Sequence, residues 1–182
     1  MTGSERGEHV ERRQNVEPDD RMDQRGRGPA LATLLGERFA VLSGYRAPGG
    51  RLAFGHVVVG TTGVFVVHEF DGDGTIRARR DGVTLDGEPL GPLVKRVRRQ
   101  GLALQLLLAD ALAELELRVT PILWARIARL GLRRAAAGVR LVTTRDLRRR
   151  IGHGTTLLPA TTVRKLVSLA EARMIPVQGL SA

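Results

Sequence analysis

Two runs rich in β-branched and aromatic residues, Leu52–Val59 and Val64–Phe70, flank the short segment Gly60-Thr61-Thr62-Gly63. Such runs, bounded by turn residues, read as a β-hairpin, and the hairpin sets the frame for the rest. Before it, Ala30–Leu35 suits a short helix stopped by Gly36, and Phe39–Leu42 a strand ending at Gly44. Arg46–Gly50 is a turn by composition. After it, Thr75–Arg80 and Val83–Leu85 are expected to continue the sheet, with Asp81-Gly82 and Asp86-Gly87 as turn pairs. A long helix opens at Pro92, where Leu93, Val97, Leu104, Leu108, Ala111 and Leu115 recur at helical spacing. Gly101 falls on that buried stripe, where a close neighbour is expected.

Val119–Ile127 then reads as an apolar strand, Arg129–Gly138 as a loop and Val139–Val142 as a short strand. Thr144 is placed to cap a small helix with Asp146 in its first turn, running to Ile151 and ending at Gly152. A last helix spans Thr161–Met174, burying Val163, Leu166, Val167, Ala170 and Met174. This order specifies an α/β fold: a small mixed β-sheet flanked by helices. Residues 1–28 are polar and mixed in charge, too poor in apolar side chains to offset the entropy of ordering. The expected organisation is therefore a disordered polar tail over 1–28, one α/β domain over 29–176 and a short tail over 177–182.

Several chemistries are excluded at once. With no cysteine there is no disulfide framework, thiolate metal site or cysteine nucleophile. His9, His56, His68 and His153 are too scattered for a paired-histidine metal spacing. Aromatic residues make up only 3% of the chain, too few for an extended base-stacking platform. The longest apolar stretch, Gly101–Leu117, is interrupted by Gln105, Asp110, Glu114 and Glu116, so no membrane span is expected. Arg12-Arg13 resembles the start of a twin-arginine signal, but no apolar core follows it. A cytoplasmic location is the expectation.

The net charge of +10 is uneven: residues 1–30 carry −1, whereas the rest holds 23 basic against 12 acidic residues. Only Lys95 and Lys165 are lysines, so arginine, whose planar fork matches phosphates and carboxylates, carries most of the charge. An Arg-rich solvated surface and an anion-binding face, most often for nucleic acid, are both open.

The run Gly55-His56-Val57-Val58-Val59-Gly60-Thr61-Thr62-Gly63-Val64-Phe65-Val66-Val67 follows Leu35-Gly36-Glu37-Arg38 and precedes Gly91-Pro92 at the helix start. With the strand around Pro121-Ile122-Leu123 and the closing helices, it resembles the nuclease-related domain (NERD) family over roughly Pro29–Met174. The resemblance implies a restriction-endonuclease-like core (α-β-β-β-α-β) and a PD-(D/E)xK site. There, carboxylates hold Mg²⁺, and the metal with a lysine activates water and neutralises the scissile phosphate. Here Gly55 stands at the aspartate position, and His68 and Phe70 stand where the acidic residue and the lysine belong. No catalytic residue carries over, no metal ligand set remains, and a pseudoenzyme is expected. Glu69 points with Phe65 and Val67, opposite to His68 and Phe70, on an alternating strand. Asp71-Gly72-Asp73-Gly74 is similar to a calcium loop but lacks the glutamate at the twelfth position, so it reads as a turn.

The candidate nucleic-acid-binding residues are Arg77 and Arg79 after the hairpin, and Lys95, Arg96, Arg98 and Arg99 in the first turns of the long helix. Cations there oppose the helix dipole, an arrangement suited to a phosphate. Arg133-Arg134 and Arg148-Arg149-Arg150 form further clusters. Three functions are open: a catalytically degenerate domain binding DNA or RNA through arginine–phosphate contacts; a metal-dependent nuclease with a site relocated to Glu37, Glu69 or Asp71, using Mg²⁺; and a protein-interaction scaffold.

Overall fold

The computed structural model describes residues 28–80 and 82–177. Along the chain the elements are α1 (Gly28–Leu35), β1 (Phe39–Ser43), β2 (Tyr45–Arg46), β3 (His56–Gly60), β4 (Gly63–Phe70), β5 (Thr75–Ala78), β6 (Val83–Leu85) and β7 (Glu88–Pro89). There follow α2 (Gly91–Leu107), α3 (Ala109–Glu114), β8 (Thr120–Ala125), β9 (Arg129–Leu130), β10 (Ala135–Ala136) and β11 (Val139–Thr143). The chain then forms α4 (Thr144–Leu147), one π-helical turn (Arg148–Gly152), α5 (Ala160–Arg173) and β12 (Ile175–Pro176). The expected tails lie outside the described residues except for Gly28, which begins α1, and Val177; Asp81 of the expected Asp-Gly turn lies outside them too.

The main sheet has six strands in the order β1-β3-β4-β8-β11-β10. The hairpin sits near its middle, with β1, β3 and β4 antiparallel, while β4, β8 and β11 run parallel. Register is set by pairs such as Val58 opposite Phe65 and Val67 opposite Ile122. The near-continuous valine run of the hairpin follows from this position, since a strand covered on both faces has no solvent side to make polar. Val57, Val58, Val59, Val66 and Val67 are all fully buried. On one face, Val58, Phe65, Val67 and Trp124 pack under Leu31 and Leu35 of α1 and Leu147 and Ile151 of α4 and the π turn. On the other, Val57, Val59, Val64 and Val66 meet Leu104 and Leu108 of the long helix and Leu166 and Ala170 of α5. The fold is thus an α/β sandwich of helices, mixed sheet and helices.

Three expectations change. The strands β5 and β6 do not continue the main sheet: they build a second sheet in the order β7-β6-β5-β9, whose inner residues Ile76, Ala78 and Val83 pack on Val94, Val97 and Leu123. The loop expected over Arg129–Gly138 contributes β9 and β10, short edge strands with too little periodicity to read. The cap of α4 is Thr143, whose hydroxyl accepts the Asp146 amide hydrogen, and Thr144 is already helical. Elsewhere the boundaries shift by a few residues: β3 begins at His56 rather than Leu52, and the long helix is interrupted at Leu108, between α2 and α3. The neighbour of Gly101 is Pro121, whose Cβ would lie 2.9 Å from a Cβ placed on that glycine.

Candidate functional site

Gly55, His68 and Phe70, the positions that the resemblance points to, lie at the adjoining ends of β3 and β4. His56 pairs with Val67, so one step back along the strand sets Gly55 beside His68. His68 and Phe70 face the long-helix side, with Phe70 packed on the cluster that holds Val94, Val97 and Leu123. A Cβ on Gly55 would run into the Val67 carbonyl oxygen and lie 3.2 Å from the His68 Cα. The two strands have therefore closed over the space a metal-binding carboxylate would need. With no donor at Gly55 and a phenyl ring in place of an ammonium, these residues do not fit Mg²⁺. No group of three or more His, Asp or Glu residues is arranged to hold a metal among the described residues.

The opposite face of the hairpin carries a polar network. Glu69 lies where alternation places it, away from His68, and its Oε1 accepts a hydrogen bond of 2.8 Å from Arg126 just beyond β8. Arg126 Nε also lies 3.5 Å from Asp71. Glu69 Oε2 is 3.9 Å from His56 Nε2, and His56 Nδ1 shares a hydrogen bond of 2.7 Å with Ser43 Oγ. Burial holds His56 below the ordinary histidine pKa of 6.5, with the nearby Glu69 charge working against that shift. A mainly neutral imidazole thus joins the ends of β1, β3 and β4, and Arg126 ties them to β8. Arg126 sits 57 residues from Glu69 in the chain, and no local pattern announces the pair.

The carboxylates of the relocated-nuclease reading do not gather. Glu69 and Asp71 are both occupied with Arg126. Glu37 precedes β1, whose far end holds Ser43 beside His56. At about 3.3 Å per residue, the strand keeps Glu37 on the order of 15 Å from that end.

All six candidate nucleic-acid-binding cations are exposed. Arg77 and Arg79 alternate with the buried Ile76 and Ala78, so they stand on the face of the second sheet turned away from α2. Arg129 joins them: β9 pairs in parallel with β5, setting Arg129 beside Thr75 on that same outer face. It was hidden in a segment that reads as loop. On α2 the buried stripe is Val94, Val97, Gln100, Gly101 and Leu104. Lys95 and Arg99 lie opposite that stripe, while Arg96 and Arg98 fall on its two flanks, roughly 160° apart at 100° per residue. The four helix cations therefore form a band around α2 rather than one face. Leu102 and Leu106, 54% and 77% exposed, continue the outward line of Lys95 and Arg99. The first turn of α2 holds no acidic residue, and Leu90 offers no side-chain cap. The second sheet and the helix thus present two basic surfaces with their apolar sides pressed together.

Comparison with protein-family models, with curated proteins and with solved structures finds no match to this chain.

Proposed function

We propose that the chain is a NERD-like, catalytically degenerate relative of the nucleases that binds DNA or RNA through arginine–phosphate contacts. The observation that carries this reading is the outer face of the second sheet. Arg77, Arg79 and Arg129 stand there exposed, and none has an ion-pair partner among the described residues. Guanidinium groups in this state are ready to take phosphate oxygens in place of solvent. The closed space at Gly55 supports the loss of metal-dependent cleavage. No helix among the described residues is long and apolar enough to cross a membrane, and a cytoplasmic location belongs to the same proposal.

Binding of this kind is tolerant of sequence and steep in salt, because each neutralised phosphate releases a counterion. The test is fluorescence anisotropy with labelled single- and double-stranded DNA at about 50 and 200 mM salt. The expected result is an affinity that falls by orders of magnitude between the two. In the triple variant Arg77→Ala, Arg79→Ala, Arg129→Ala, the salt slope flattens by roughly one unit per lost phosphate contact. Absence of binding at the lower salt overturns the reading and favours a protein-interaction scaffold. Mg²⁺-dependent cleavage by the unaltered protein overturns the degenerate-site part alone.

A further inference from the structure

On the side of the main sheet away from α2, the structure opens a cleft of about 500 Å³ lined by Leu34, Thr144, Arg145, Arg148, Arg149 and His153. The volume lies in the range of small-molecule sites, roughly 300–1,000 Å³. Among the described residues, those that line it include three arginines and a histidine, and no acidic residue.

The helix explains why the three arginines share one side. Leu147 and Ile151 are buried against the sheet, which turns Arg145, Arg148 and Arg149, spaced i, i+3 and i+4, outward together. The turn that carries Arg148 and Arg149 is π-helical, a geometry found often at functional sites. A Thr62 hydroxyl, donating to the Ile151 carbonyl at 2.9 Å, ties that turn to the hairpin loop. Like charges at these spacings repel each other. None of the three guanidinium groups has an ion-pair or hydrogen-bond partner among the described residues; the nearby Asp146 is engaged by Thr143 and lies 3.7 Å from Arg134. An anion is the group that would relieve this repulsion.

Thr144 adds a directed donor. The buried Trp124 donates its indole N–H to Thr144 Oγ1 at 3.1 Å. Because an indole nitrogen only donates, the hydroxyl acts there as acceptor and keeps its own proton for another partner. Thr144 is one of the residues that line the cleft.

We propose that this cleft binds a terminal phosphate group, carried by a small molecule of about nucleotide size. Arg145, Arg148 and Arg149 take the phosphate oxygens in charge-assisted hydrogen bonds, with Thr144 and His153 as further donors, while Leu34 supplies an apolar wall for the rest of the ligand. The site lies across the main sheet from α2 and does not depend on the proposed nucleic-acid surface.

Trp124, the only tryptophan of the chain, lies directly beneath the cleft and serves as the reporter. The full-length protein is titrated with AMP, adenosine, inorganic phosphate, and one oligonucleotide bearing either a 5′-phosphate or a 5′-hydroxyl, following tryptophan emission and heat of binding. The expected result is saturable binding of AMP, weaker binding of inorganic phosphate and none of adenosine. Arg145→Gln and Arg149→Gln each weaken AMP binding by about tenfold or more, with thermal unfolding showing that both variants remain folded. Arg77→Ala with Arg79→Ala leaves AMP binding unchanged, which separates this site from the other surface. A response to the 5′-phosphorylated strand above that to its 5′-hydroxyl form, lost in the same two cleft variants, supports the phosphate site and names a strand end as its source. Equal binding of AMP and adenosine, no response to any phosphate, or binding unchanged in both arginine variants overturns the proposal.

Discussion

The Cβ that Gly55 lacks would meet the Val67 carbonyl oxygen, so the backbone can close here only around a glycine. Gly55→Asp must push two central strands apart and bury a charge. It is expected to destabilise the fold by about 1–3 kcal/mol, read as a lower denaturant midpoint; an unchanged midpoint would mean that the strands separate freely. The double variant with Phe70→Lys is expected to gain no Mg²⁺-dependent cleavage. His56 gives a second prediction. Its pKa in the fold lies below the 6.5 of the unfolded chain, so as pH falls below 6.5 the unfolded state takes up the proton first. Stability is then lost until pH passes the lowered folded value, and is unaffected by this group above 6.5. Unfolding free energy measured from pH 8 to pH 5 is expected to show this loss, and His56→Gln to lack the His56 part of it. The face of Glu69 was legible because strand alternation allows only two answers. Its partner Arg126 was not, because only the parallel pairing of β4 with β8 brings the two together.

Among the elements, α2 was the most legible, since helical spacing marks its buried stripe and even the demand for a neighbour at Gly101. Replacing an exposed helical glycine with alanine stabilises by about 1 kcal/mol. Here the new methyl would lie 2.9 Å from the Pro121 ring, which cannot swing aside as a flexible side chain would. Gly101→Ala is therefore expected to lower the thermal midpoint, and a rise would show that β8 yields at Pro121. Thr143→Ala removes the cap of α4 and is expected to cost about 1 kcal/mol in chemical denaturation. Because α4 carries Arg145, the same change is expected to loosen the cleft. The second sheet was the least legible element. Its strands were read one by one, but its edge is completed by β9, two residues long and without a pattern of its own.

At the scale of the molecule, the surplus of positive charge acts on stability as well as on partners. Residues 31–182 hold 23 basic and 12 acidic side chains, and self-repulsion of this kind destabilises a compact state until salt screens it. The thermal midpoint is expected to rise between about 50 and 500 mM NaCl, and to rise at low salt when a polyanion is added. A midpoint that falls with salt would mean that the ion pairs of Arg126, Arg134 and Arg173 outweigh the repulsion. By itself the sequence determined the α/β class, the hairpin, the buried stripe of α2 and the absence of a carboxylate at Gly55. Each of these rests on local periodicity or on the identity of one residue. Tertiary structure alone decided that the arginines of the second sheet and those of α2 point to different surfaces, and that Arg129 joins the former. It also decided that Leu34 of α1 meets Thr144 and the arginines after β11 in one cleft. These are pairings between distant segments, set by which faces the sheets bury, and no spacing along the chain encodes them.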